Sequence, residues 1–379
     1  MDRETGEVVL LTGSSGFLGI HILRHLVEDN NTVEIRALDK VPVSKDKCAI
    51  IYEDKRDKIK RYLCDLTDVE SCREAFRNVD VVLHCAALVS YDYPPNVDEL
   101  QKNNVDATEN VVQLCREEGV PRLVYCSSTE VILQSCFRGG IVAVSIYKSD
   151  LKLIPPDDES RLIFGEYAAS KLRAERIILK ANDTPLTRGN GLLHTTALRP
   201  TLLYGEGDPH LLPRILQLAR NRGDNSLPRL SYIPGKQQIT YVGNAAWAFI
   251  RAKETLRKKP EAIAGLPVSV TDDTLVEDLI SFCERVTSSS NTSCVRLTGW
   301  PIPLPLSYFG GFLLQLAADC GIISTLQMPP CSLISYLGSI ILFNRARASI
   351  HMDYWPKFTH EQTLDIASKY YSQQLKNII

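Results

Sequence analysis

The chain has no CxxC pair and no short-spaced cluster of cysteine and histidine, so no ligand set for a structural zinc is visible. Its 11 cysteines are odd in number and read as reduced thiols used as small apolar side chains. Basic charge is not in excess either. The 43 Lys and Arg face 45 Asp and Glu, for a net charge of -2, which argues against a nucleic-acid partner. The N-terminus, MDRETGEVVLLTG, lacks a basic start followed by an apolar run. That excludes a secretory leader and points to a chain that begins in the cytosol. Internal repeats and low-complexity linkers are missing as well. What is present is ordinary in bulk: 379 residues, 44% apolar and 23% charged. Such a chain buries a core without disulfides or metals, as one large domain or two modest ones.

One shortage is local. Residues 301–343 carry a single charge, Asp319, where the chain average predicts about ten. Two apolar stretches lie inside it, LSYFGGFLLQLAA (306–318) and ISYLGSIILF (334–343). Neither reaches the roughly 20 apolar residues of a spanning helix. Arg345 and Arg347 follow directly, and basic residues after an apolar run suit a cytosolic leaflet. A membrane-embedded or interfacial anchor is therefore expected, with a packed pair of core helices as the other reading.

The first half alternates short apolar runs with longer amphipathic ones. Strands are expected at Val8–Gly13, Val33–Asp39, Lys60–Asp65, Asp80–Ala87, Arg122–Ser128 and His194–Pro200. Helices are expected over 20–29, 104–118, 165–181 and the end of 241–256. Alternation of this kind means right-handed crossovers and a parallel sheet covered on both faces.

Gly13, Gly16 and Gly19 lie in TGSSGFLG, between the first strand and the first helix, with Phe17 and Leu18 inside the motif. Glycines at these points permit a tight turn, close backbone approach to a pyrophosphate, and close helix packing. The helix N-terminus adds free N–H groups for the phosphates. Asp39 stands at the end of the second strand, 20 residues after Gly19. A carboxylate there accepts from ribose hydroxyls and repels a 2′-phosphate, which favours NAD over NADP. Arg36 and Lys40 nearby pull the other way. Asp65 and Leu66 after the third strand fit the adenine, and Ala86 after the fourth lets the backbone approach the cofactor. His84 reads as a packed core histidine.

A Tyr-x-x-x-Lys spacing occurs twice. Tyr232 and Lys236 enclose Pro234 and Gly235, so that segment is not helical. Tyr167 and Lys171 lie in a good helix-former and share one face. A lysine ammonium beside the phenol, together with an oxidised nicotinamide, favours the phenolate and makes Tyr167 a general base. Ser128 ends the fifth strand and is read as the group that holds the substrate oxygen, with Ser127 beside it. Asn104 is read as anchoring a water that connects Lys171 to solvent.

Together TGSSGFLG, Asp65-Leu66, HCAA, YCSSTEV, YAASK and LRPTLLYGEGD resemble an extended short-chain dehydrogenase/reductase. YCSSTEV, LRPTLLYGEGD and YVGNAAWA are more narrowly similar to the 3β-hydroxysteroid dehydrogenase/Δ5-isomerase family. Cys126 stands where many relatives have Thr. The resemblance implies a Rossmann-type, doubly wound α/β fold and a Ser128–Tyr167–Lys171 group. It also implies NAD as cofactor and a steroid or sterol substrate oxidised at a 3β-hydroxyl. A Δ5 to Δ4 shift would need an acid/base group near the first rings, for which Glu130 is the candidate. The expected layout is an NAD-binding domain over 1–200, a substrate region interleaved with the sheet over 201–300, a membrane-associating segment over 301–343 and a tail over 344–379. The implied location is the cytosolic face of the endoplasmic reticulum membrane, with a mitochondrial membrane or the cytoplasm as alternatives. A homodimer is compatible with this layout. Rival readings are a decarboxylating sterol-4-carboxylate 3-dehydrogenase, an NADPH-dependent plant-type reductase, and a non-catalytic dinucleotide-binding membrane protein. The last usually lacks the Tyr or Lys, and both are present here.

Overall fold

The computed structural model describes residues 6–43, 57–134, 144–147, 154–209, 211–221, 226–228, 235–288, 296–298 and 302–377. Tyr232 of the second Tyr-x-x-x-Lys pair, and Cys48, Cys136 and Cys294, lie outside these residues.

Seven parallel strands form the main sheet: β1 (Glu7–Thr12), β2 (Thr32–Asp39), β3 (Ile59–Leu63), β4 (Val81–His84), β5 (Arg122–Cys126), β6 (Leu192–Pro200) and β7 (Pro267–Val270). Their order is β7-β6-β5-β4-β1-β2-β3, and a short strand, Thr184–Pro185, runs antiparallel on β6. This is the parallel sheet covered on both faces that the alternation predicts, and the Rossmann-type doubly wound fold that the resemblance implies. β1 shows why the runs are continuous rather than alternating. Val9 and Leu11 enter one core and Val8 and Leu10 the other, since successive side chains leave opposite faces of a sheet buried on both.

Helices α1 (Phe17–Glu28) and α5 (Val242–Lys258) cover the first face; α2 (Val69–Phe76) and α3 (Ala107–Glu118) cover the other. Helix α4 (Gly165–Lys180) packs on α3 and β6. A π-helical stretch, Gln101–Asp106, leads into α3. Fully buried Lys253 of α5 donates to Glu7 at 2.8 Å and Asp29 at 2.7 Å. Removing one partner from such a cluster strands a buried charge, so it fixes α5 against the sheet.

The charge-poor stretch is divided. Helix α6 (Leu304–Asp319) is followed by α7 (Pro330–Leu337), and Ile340–Phe343 is a strand, not helix. That strand is parallel to Val144–Tyr147 on one side and Lys236–Gln237 on the other. The turn at Gly338 and Ser339 ends the helix, and the β-branched Ile340 and Ile341 continue as strand. Among the described residues no helix is long and apolar enough to cross a membrane. Helix α6 nonetheless exposes Leu306, Phe309, Phe312, Leu313, Leu314 and Leu316. Helix α8 (His360–Asn377) packs on the helices Leu211–Asn221 and Leu279–Thr287, and its buried Tyr371 hydroxyl donates to Asp208 at 3.0 Å.

Candidate active site

The strand order reverses between β1 and β4, and ligands of such sheets sit at that switch point. The turn after β1 is built for close approach. Gly13 has φ +70°, and a Cβ there would lie 2.6 Å from the Ala86 backbone nitrogen. A Cβ on Gly19 would overlap the Gly13 carbonyl oxygen. Helix α1 begins with no side-chain cap and no acid in its first turn, so its N–H groups are free for an anion.

Asp39 closes β2. Its carboxylate accepts from Ser15 N at 2.9 Å and Val41 N at 3.1 Å. With Asp65, Leu66 and Ala86 it lines a cleft of about 300 Å³ beside Gly13 and Gly16. The Asp65 carboxylate accepts from Thr67 N at 2.9 Å, which holds its pKa below the usual range. Arg36 is turned away and donates to the carbonyls of Ala75 at 2.9 Å and Arg77 at 2.6 Å. Lys40 donates to Asn103 at 2.7 Å. The nearer of the two basic residues thus lines the cleft, and the other is committed elsewhere.

A second cleft, of about 340 Å³, adjoins the glycine turn. Its lining includes Gly16, Phe17, Leu18 and Gly19, then Ser127, Ser128, Glu130, Tyr167 and Lys171. Leu202, Leu203, Met328, Leu333 and Leu337 supply an apolar wall. The charge-poor stretch therefore builds part of this cleft. The whole lies within the size range of small-molecule sites.

Ser128 caps the short helical turn Thr129–Ile132, its hydroxyl accepting from Glu130 N at 3.1 Å. The hydroxyl proton remains for a ligand. The Ser127 Oγ is buried with no partner among the described residues. Gly165, at φ +56°, turns the chain into α4 and sets Tyr167 and Lys171 one turn apart.

In the protein by itself the Tyr167 pKa is raised, by burial first and then by Glu130 and Cys126. Lys171 does not bond the phenol among the described residues. It donates to the Cys126 carbonyl at 2.6 Å and lies 4.4 Å over the Tyr125 ring, with burial lowering its pKa. The Asn104 amide is likewise occupied. It accepts from Leu88 N at 2.7 Å and donates to the Leu88 carbonyl at 3.0 Å and Ser170 Oγ at 2.9 Å. It clamps the segment after β4 to α4.

His84 is the packed histidine expected. Thr108 Oγ donates to the Asn104 carbonyl at 2.6 Å, so it accepts from His84 Nε2 at 3.0 Å, while Nδ1 faces Thr12 Oγ at 2.7 Å. Burial lowers its pKa to about 3.

Tyr91 is a site residue that sequence patterns did not reveal. Its hydroxyl donates to Glu130 Oε1 at 2.8 Å, and its ring meets Tyr167 edge-on at 4.9 Å. It lies in an irregular segment 39 residues before Glu130, where no periodic signal exists. Glu130 Oε2 is sealed from solvent without a partner among the described residues. Burial raises the Glu130 pKa to about 7, against the lowering effects of Tyr91 and Lys171.

The family description "3-beta hydroxysteroid dehydrogenase/isomerase family" matches residues 10–298. Among solved structures, a protein named gox2253 superposes with a TM-score of 0.70 at 20% identity, covering 97% of this chain and 99% of the other. UDP-glucuronic acid 4-epimerase from Bacillus cereus, in complex with UDP-glucuronic acid and NAD, gives 0.66 at 17% identity with the same coverage. A UDP-galactose 4-epimerase gives 0.65 at 17% identity, again over 97% and 99%. At these identities the likeness establishes the fold.

Proposed function

The chain belongs to the 3-beta hydroxysteroid dehydrogenase/isomerase family, and from that premise we propose that it oxidises the 3β-hydroxyl of a steroid or sterol with NAD. The observation that carries this is one cleft holding Ser128, Tyr167, Lys171 and Glu130 between the glycine turn and an apolar wall. The residues fit the cofactor. Gly13 and Gly19 lack room for a Cβ, the α1 N-terminus is uncapped, and Asp39 lines the adjoining cleft, where its carboxylate would accept from a ribose hydroxyl. The solved Bacillus cereus relative, bound to NAD, supports the same choice. When bound, the nicotinamide dinucleotide supplies the hydride acceptor.

The chain's own groups handle the proton and the substrate. Ser128 donates to the substrate oxygen and fixes its distance from Tyr167. Tyr167 takes the hydroxyl proton. Its raised pKa means that this proton transfer needs help from positive charge, which Lys171 provides once the site is loaded. Leu202, Leu203, Met328, Leu333 and Leu337 exclude water around the fused rings. Glu130 serves the second step. A carboxyl with a pKa of about 7 is divided between its two forms at neutrality. It takes a proton from C4 of the Δ5-3-ketone and returns one at C6. Tyr91 holds Glu130 Oε1, and Oε2 has no partner among the described residues.

The test is detergent-purified full chain with NAD and a panel of Δ5-3β-hydroxysteroids. NADH absorbance reports oxidation and enone absorbance reports isomerisation. No NADH from any panel member, with dinucleotide bound, overturns the substrate class.

The exposed leucines and phenylalanines of α6 support an interfacial contact with a membrane, of the endoplasmic reticulum in this reading, rather than a span. Phe312 and Leu313 are 50% and 48% exposed, so replacing both with Glu leaves the fold intact. That variant is expected to stop floating with phospholipid vesicles while wild type floats. Equal flotation of the two would remove α6 from the contact.

A further inference from the structure

Two thiols meet on the floor of the cleft. β4 and β5 pair with His84 opposite Tyr125, whose rings sit 5.5 Å apart on one face. The next residues, Cys85 and Cys126, therefore turn together to the other face. Neighbouring strands run about 4.7–4.9 Å apart, inside the Cα separation of about 4.4–6.8 Å that a disulfide bridges. The Cys126 thiol donates to the Ser127 carbonyl at 3.6 Å, and the two thiols lie close enough to influence each other's ionisation. Both residues are partly exposed, and both line the larger cleft. Cys85 also lines the smaller one.

We propose that Cys85 and Cys126 form a dithiol modification site for hydroperoxides, closing to a disulfide across the dinucleotide cleft. The two thiols are not equivalent. The Lys171 ammonium is held on the Cys126 carbonyl at 2.6 Å and favours the Cys126 thiolate. Cys126 is therefore the attacking sulfur. Its thiolate attacks one peroxide oxygen, the O–O bond breaks, and the other oxygen leaves as alcohol or water with a proton. Cys126 is then a sulfenic acid. Cys85 attacks that sulfur, the S–S bond forms, the S–O bond breaks, and hydroxide leaves with the Cys85 proton as water. Two thiols are oxidised and one peroxide is reduced, so no further reactant is needed.

The consequence follows from position. The Cys126 carbonyl holds Lys171, and Ala86 N faces Gly13 across the turn. A covalent bridge between the two strand ends restrains both. This consequence rests on the cofactor reading above, whereas the disulfide itself does not, so the two are measured separately.

Purified full chain is titrated with hydrogen peroxide, alkylated and digested for mass spectrometry. The first linked peptide pair expected is Cys85–Cys126, reversed by dithiothreitol. Cys64 and Cys72 also influence each other's ionisation and are the internal rival. In the Cys85→Ser variant, Cys126 should stop at a dimedone-trapped sulfenic acid. Dinucleotide affinity of the linked wild type, read by fluorescence quenching, should fall about tenfold or more and recover on reduction. Linkage of Cys64 to Cys72 first, or no linkage, overturns the site. Linkage with unchanged affinity overturns its effect on the cofactor alone.

Discussion

Tyr167→Phe is expected to lower kcat for 3β-hydroxyl oxidation by about 10²–10⁴-fold, the range for losing a positioned acid/base group. The ring contact with Tyr91 at 4.9 Å needs no hydroxyl, so the fold and dinucleotide affinity should hold. The wild-type pH profile carries a second signature. The phenol's pKa is raised by burial and by Glu130, so at neutrality it holds its proton. Oxidation by the wild type should therefore accelerate as pH rises above neutral, and the residual rate of the Phe variant should lose that dependence. Steady-state NADH production and fluorescence titration of the dinucleotide read both. A variant with wild-type turnover would remove Tyr167 from the chemistry.

Glu130→Gln is expected to separate the two reactions. Enone formation from a Δ5-3-ketone should fall by about 10²–10⁴-fold, with NADH production from the 3β-alcohol largely kept. Equal loss of both would assign Glu130 to the shared site rather than to isomerisation. Stability gives an independent reading. The Glu130 pKa is raised from 4.5 to about 7 in the folded chain, so the fold favours the protonated carboxyl. Its contribution is fully present below about pH 4.5 and is lost as pH rises through about 7. Gln does not titrate. The variant should therefore gain stability relative to wild type between these limits and hold that gain above them, with a ceiling on the order of 3 kcal/mol. Thermal denaturation at several pH values measures the window.

Much of the fold was legible because strands buried on both faces must be continuously apolar. Val8–Thr12, Val81–His84 and Leu123–Val124 are such runs, and each is a strand at the centre of the sheet. β7 carries no such signal in the sequence. Pro267–Val270 is four residues long and sits at the sheet edge, too short for a period to show. ISYLGSIILF illustrates the opposite failure. Its hydrophobicity was visible, but a buried helix and a buried strand share that signal, and only the pairing of Ile340–Phe343 between two distant strands decides between them.

The chain's own order of residues determined the glycine turn, the acid at the end of β2 and the one-turn spacing of Tyr167 and Lys171. All three are local, because a turn, a strand end and a helical repeat are set by neighbours in sequence. Only the tertiary structure decided where Lys171 points, what Asn104 holds, and that Tyr91 meets Glu130. It also set Cys85 beside Cys126 and brought Met328, Leu333 and Leu337 to the wall of the cleft. These depend on which strand ends and loops come together and on the solvent they exclude. Burial at that meeting point is what moves the Tyr167, Lys171 and Glu130 pKa values.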